Sequence, residues 1–124
     1  MLSNFLLNSS NELWGKKWRK TIMWSLKEKP LRFSELKRNM TDCSVKMLSE
    51  ALDDMENDGL LIRKQYDGIP VKVTYELTED VQEIVDNMES YINLLSKFFY
   101  KHRVRYDVPA NIVEQLEKDL LSNK

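Results

Sequence analysis

Residues 44–64, SVKMLSEALDDMENDGLLIRK, begin as one kind of segment and end as another. Leu48, Ala51, Leu52 and Met55 recur at helical spacing, and Val45 extends that stripe toward the N-terminus. Asp42 or Ser44 would cap the helix, and Gly59 stands where a left-handed residue ends it. A β-prone LLIRK follows. The opening turns carry Ser44, Lys46 and Ser49, and the later ones carry Asp53, Asp54, Glu56 and Asp58. A helix ahead of a strand suits a nucleic-acid groove, which repels carboxylates. A recognition helix enters the groove with its first two turns, so the acid run falls where the helix has left the bases.

Outward from this stretch, the period changes to two. Leu61, Arg63 and Gln65 point one way and Val71, Val73 and Tyr75 another, with DGIP as the turn of a hairpin. Upstream, LRFSELKRNM gives a short extended piece and then a helix capped by Ser34, with Leu36 and Met40 inward and Lys37 and Arg38 outward. Before it, WGKKWRKTIMWSLKEKP reads as one helix ended by Pro30, its Trp18, Ile22 and Leu26 at four-residue steps and Lys and Arg over the remaining surface. Downstream, TEDVQEIVDNMESYINLLSKFFYK is a helix with Thr78 as its cap. Its apolar face, from Val81 through Ile84, Val85, Met88, Tyr91, Ile92 and Leu95 to Phe99, is too wide for the edge of a small monomer. PANIVEQLEKDLL is amphipathic through Ile112, Val113, Leu116 and Leu120. Two short helices joined by a tight turn and followed by a hairpin make a winged helix-turn-helix. The fold class is therefore mainly α with a small β-hairpin wing (α+β), flanked by N- and C-terminal helices. Surplus apolar surface on the long helices predicts a two-fold dimer.

The 124 residues are 42% hydrophobic and 31% charged, which fits one folded domain with a real core. The single Cys and single His exclude a disulfide framework and leave a metal cluster without ligands. No stretch approaches the ~18 apolar residues of a membrane span. MLSNFLLNSS lacks the basic start and apolar length of a secretory signal. The expected location is the cytoplasm, with the nucleoid. The net charge of −1 hides a split: residues 14–74 carry 13 Lys and Arg against 9 Asp and Glu, residues 75–124 carry 6 against 10. Phosphate responds to local charge, so a basic centre beside an acidic tail still admits a DNA partner.

Taken together, Gly-Lys-Lys-Trp at 15–18, LRFSELKRNM, SVKMLSEALDDMENDGLLIRK and DGIPVKVTYELTE closely resemble the HxlR-type winged helix-turn-helix regulators of bacteria and archaea, related in fold to MarR-type regulators. The match runs in order from about Gly15 to Glu79. The resemblance implies a homodimeric transcription regulator, commonly a repressor, that binds a palindromic operator. Residues 14–79 would then be the DNA-binding core of a single 1–124 domain, and the helices in 1–13 and 80–124 would serve dimerisation. Some members of the family sense electrophiles or oxidants through a Cys ahead of the first helix. This chain has no Cys before position 43, and Phe5 lies near the expected place.

The chemistry of the residues points to specific contacts. Lys46 reaches phosphate or a guanine edge, Ser44 and Ser49 bond phosphate or bases, Met47 suits a thymine methyl and Glu50 a cytosine amino group. Arg32, Ser34 and Lys37, with Arg38 beside them, suit backbone phosphate. In the wing, Lys72 comes first for the flanking minor groove, then Arg63 and Lys64. The alternative for each is a solvated surface side chain. Cys43 begins the recognition helix, where the dipole can activate a thiol for redox chemistry, against a half-buried residue with no role and no second Cys to resolve a sulfenate. Trp14 and Trp18 read as packing residues, and His102 as a surface residue.

No Gly-rich phosphate loop and no Ser/His/Asp set is present, so the chain is not expected to be an enzyme and no cofactor is implied. Two readings compete with a DNA-binding regulator. One is a winged-helix protein-interaction module without sequence-specific DNA binding. The other adds a small effector between dimer helices near Tyr91, Phe98, Phe99 and Tyr100; nothing specific indicates it over interface packing.

Overall fold

A computed structural model describes residues 2–122. The element order is α1 (Leu2–Trp14), α2 (Arg19–Ser25), α3 (Phe33–Asn39), α4 (Val45–Asn57), β1 (Leu61–Tyr66), β2 (Lys72–Leu77), α5 (Glu79–Lys101) and α6 (Ala110–Ser122). The chain forms two compact units, one up to Val85 and one from Asp86 onward.

In the first unit, α2, α3 and α4 bury one stripe each. Ile22, Met23 and Leu26 come from α2 and its C-terminal cap, Leu36 and Met40 from α3 and its cap, and Leu48, Leu52 and Met55 from α4. Each fully buried Leu or Met is worth about 1.5–3 kcal/mol over the exposed state. The hairpin closes this core with Leu61, Tyr75 and Leu77, and α5 adds Val81 and Val85. Leu31 pairs with the outer edge of β2 by reciprocal hydrogen bonds with Tyr75 of 3.0 and 2.8 Å. β2 therefore has both edges occupied over part of its length, which leaves less unpaired backbone to recruit another strand.

The segment expected as one helix over 14–30 is divided. Trp14 ends α1, residues 15–18 are non-helical, and α2 is only seven residues long. Trp18 sits in the left-handed region at φ 76° and ψ −17°, a conformation that costs a residue with a Cβ roughly 1–2 kcal/mol and cannot continue a right-handed helix. The cap of α3 is Arg32 and not Ser34: the backbone stays extended through Arg32 because Leu31 is held against Tyr75, and the Glu35 carboxylate accepts the Arg32 N–H at 3.0 Å.

Ser44 caps α4, as one of the two expected candidates, its Oγ accepting the Met47 N–H at 3.1 Å. At the other end, Gly59 has φ 79°, its N–H donates to Glu56 O at 3.1 Å, and the Leu60 N–H donates to Met55 O at 2.9 Å. These two bonds form a Schellman motif. The Thr78 hydroxyl donates to Gly59 O at 3.0 Å, which ties the start of α5 to the end of α4.

In the hairpin, Leu61 pairs with Leu77, Arg63 with Tyr75 and Gln65 with Val73. Directly opposed residues project to the same face of a sheet, so these two sets share one face and do not point apart as the period alone suggested. Leu61 is buried while Arg63 and Gln65 are exposed because the strands run outward past the core.

The second unit holds the rest of α5, the connection through Val104 and Tyr106, and α6. Phe98, Phe99, His102 and Tyr106 form a ring cluster with centroid separations of 4.6 to 6.5 Å. The Tyr100 hydroxyl donates to the Glu117 carboxylate at 3.0 Å, joining α5 to α6.

Candidate nucleic-acid interface

The turn between α3 and α4 is anchored from inside. Met40 and Cys43 are both buried, and the Cys43 N–H donates to Met40 O at 3.1 Å. Immediately after this anchor the helix leaves the core. Val45 is 61% exposed, which corrects its assignment to the buried stripe, and Lys46, Met47, Ser49 and Glu50 are exposed with it. One and a half turns therefore present a hydroxyl, an ammonium, a thioether and a carboxylate, backed by Leu48 and Leu52. Ser44 keeps its hydroxyl proton for an outside acceptor while its oxygen caps the helix.

Cys43, at 1% exposure, faces the core and not the surface that Ser44 and Lys46 present. The thiol therefore lacks the access that reactive thiols require.

The acid run divides by function. Asp53 and Glu56 are exposed, whereas Asp54 and Asp58, one turn apart on the same flank, receive Arg19 from α2. Arg19 is only 3% exposed, although the sequence put it on a solvated face. Its Nη2 donates to Asp54 at 2.9 Å and to Asp58, and its Nη1 lies 3.4 Å from Leu13 O. Lys16 adds a second cation on Asp54 at 3.1 Å. Burial opposes the charge on Arg19, but its hydrogen bonds and attraction to Asp58 and Asp54 outweigh it and hold the guanidinium pKa above its ordinary value. Hydrogen bonds from Arg19 and then Lys16 hold the Asp54 carboxyl below the usual range. Acids four apart on one helix flank are the sequence signal for such a receptor, but their cation lies some 35 residues away.

The same link brings the α1–α2 connection beside α4. A shallow depression of about 420 Å³ is lined by Lys16, Lys17 and Trp18 on one side and Met47, Glu50, Ala51 and Asp54 on the other. Lys16 and Lys17 thus border the exposed turns of α4, a neighbourhood absent from the sequence reading. The Lys17 ammonium lies 5.0 Å from the Trp18 ring.

The remaining expected residues fall into two groups by element. Arg32 and Ser34 are exposed at the start of α3, and Lys37 is half-buried. In the hairpin Arg63 is exposed, Lys64 pairs with Glu76, and the Lys72 ammonium lies 5.6 Å from the Tyr66 ring. The Glu76 carboxylate raises the Lys64 pKa. Ile69 at the hairpin tip is fully exposed. Among the described residues no group of His, Cys, Asp and Glu could hold a metal ion, and no helix is long and apolar enough to cross a membrane.

Two helices about a tight turn, the second projecting its first turns, with a hairpin after it, define a winged helix-turn-helix transcription regulator. The chain belongs to the HxlR-like helix-turn-helix family, whose family model matches residues 13–101. It is 32% identical over 121 residues to YtcD of Bacillus subtilis, an HTH-type transcriptional regulator, across 98% of this chain and 91% of the relative. A solved structure described as a MarR-family regulator from Enterococcus faecalis superposes with a TM-score of 0.71 at 25% identity, covering 82% of this chain and 92% of that one. Diamide-treated YodB of B. subtilis gives a TM-score of 0.58 at 32% identity, covering 70% and 89%.

Proposed function

We propose that the protein is a sequence-specific repressor that binds a palindromic operator as a homodimer in the cytoplasm, at the nucleoid. In this reading residues 44–58 are the recognition helix, entering the major groove by its N-terminal turns, and residues 61–77 are the wing at the flanking groove. The carrying observation is the division of α4: Ser44 to Glu50 project from the core, while the acids Asp54 and Asp58 are drawn back onto Arg19 and Lys16. Lys46 contacts phosphate or a guanine edge, Ser44 and Ser49 bond phosphate or bases, Met47 meets a thymine methyl and Glu50 a cytosine amino group. Arg32, Ser34 and Lys37 hold backbone phosphate. In the wing Lys72 and Arg63 act first, since Lys64 is already engaged by Glu76.

Dimerisation is supported by apolar side chains left in solvent at both ends of the chain. On α1 these are Leu2, Phe5, Leu6 and Leu7, and on α5 they include Tyr91 and Leu94. A second copy carries the same surfaces, and a two-fold axis lets each bury the other. Such a dimer would present two recognition helices to two half-sites about one helical turn apart, and occupying a palindrome beside a promoter excludes polymerase.

Selection from a random duplex pool followed by a shift assay tests the reading. The expected outcome is one enriched palindrome, bound with affinity that falls steeply as salt rises, by a species of twice the 14.8 kDa chain mass. A protein-interaction module would shift no duplex even at low salt.

A further inference from the structure

Arg19 makes none of the DNA contacts proposed above, yet it joins the scaffold to the helix that reads DNA. We infer that Arg19 is a positioning residue for DNA recognition, fixing the roll of α4 by bridging Asp54 and Asp58 on successive turns. This rests on the DNA-reading proposal above.

The apolar stripe of Leu48, Leu52 and Met55 holds α4 against the core, but hydrophobic contact is non-directional and sets rotation about the helix axis less sharply than a directional bond does. Asp54 and Asp58 sit on the flank of the helix, beside that stripe. The guanidinium that receives them is 3% exposed and is further placed by Leu13 O at 3.4 Å. A planar, always-charged fork has little freedom to follow a moving partner. Magnitude decides that this matters: a roll of about 10° moves a side-chain tip roughly 6 Å from the axis by about 1 Å, and binding constellations tolerate only about 0.5 Å. Lys46 and Ser49 would lose register with the bases while general attraction to phosphate persisted.

Charge and positioning predict opposite signs, which makes the test decisive. Removing a carboxylate beside DNA favours phosphate binding on electrostatic grounds alone. Under positioning, Asp54→Asn and Asp58→Asn each weaken binding to the duplex that the wild type selects by about tenfold, the scale of one lost base contact. Neither weakens binding to a random duplex. Arg19→Met shows the larger loss of selectivity, and Arg19→Lys, which keeps the charge without the fork, falls between it and wild type. Both asparagine variants alter half-exposed side chains, so they keep the test open if Arg19→Met does not fold; circular dichroism at the assay temperature verifies each. Asparagine variants that are folded and bind the selected duplex as well as or better than wild type overturn the inference. So does an equal loss on selected and random duplex. A wild type that enriches no sequence removes the DNA-reading proposal itself, and the inference with it.

Discussion

Lys64 on β1 and Glu76 on β2 form an ion pair across a diagonal of the wing, since Lys64 is directly opposed by Thr74 and Glu76 by Ile62. The pair holds one of the three wing cations that would reach DNA against a carboxylate of its own hairpin. Replacing Glu76 by Gln removes a negative charge and frees an ammonium. Glu76→Gln should therefore bind any duplex more tightly at low salt. The slope of log affinity against log salt should steepen by about 0.9 if Lys64 neutralises one more phosphate. The melting temperature should change little, since ion pairs at the surface contribute little to stability. An unchanged slope would place Lys64 away from the DNA.

Lys46 is exposed and outside every hydrogen bond and ion pair described above. Lys46→Ala should weaken operator binding about tenfold, as loss of a phosphate or base contact does, with the melting temperature unmoved. Operator binding that survives the change would mean that the first turns of α4 do not enter the groove.

Acid should loosen the clamp before it affects the apolar core. Arg19 and Lys16 hold the Asp54 carboxyl below its ordinary 3.8, so the folded state binds that proton less readily than the unfolded chain. The stabilisation is complete above the unfolded value and is lost as pH falls through the lowered folded value. The difference in melting temperature between wild type and Asp54→Asn should stay constant from pH 7 to about 5 and shrink below about pH 4.

Gly59 is open to substitution sterically but not conformationally. A Cβ there would meet nothing within 4 Å, yet φ is 79°. Gly59→Ala should destabilise by about 1–2 kcal/mol, the cost of a left-handed L-residue, measurable by urea denaturation. A neutral result would mean that the helix end rearranges.

Burial of Cys43 predicts indifference to oxidants. Diamide or peroxide at concentrations that modify free thiols in unfolded protein should leave operator affinity of the wild type unchanged, and equal to that of untreated protein. A shift that Cys43→Ser abolishes would show that the turn between α3 and α4 opens.

Much of the frame was legible because local chemistry specifies it. Ser44 as cap, Gly59 as terminator and the Leu48, Leu52 and Met55 stripe all lie within one helix, where spacing and capping rules act over a few residues. What was misread depended on distant partners. Trp18 carries no local sign of a left-handed backbone, and the one local hint of the break between α1 and α2 was Gly15, a residue that helices tolerate at a cost. Arg19 looked like any exposed cation because its two acids are remote in sequence. The shared face of Arg63 and Tyr75 follows from the parity of the hairpin register, which the alternation within each strand cannot supply. Val45 fits the stripe by angle but lies beyond the end of the core.

The arrangement of Arg19 between Asp54 and Asp58 also bears on how this family can diverge. A buried guanidinium without carboxylates carries an uncompensated charge, while two acids without their cation repel each other and any nearby phosphate. Loss of the cation alone, or of both acids alone, is costly on these grounds, whereas loss of one acid leaves Arg19 paired with the other. Lineages that abandon the cation should therefore have lost the acids too, through intermediates in which one acid had gone first. Such paired replacements can be sought by reading the residues at these three positions across many relatives.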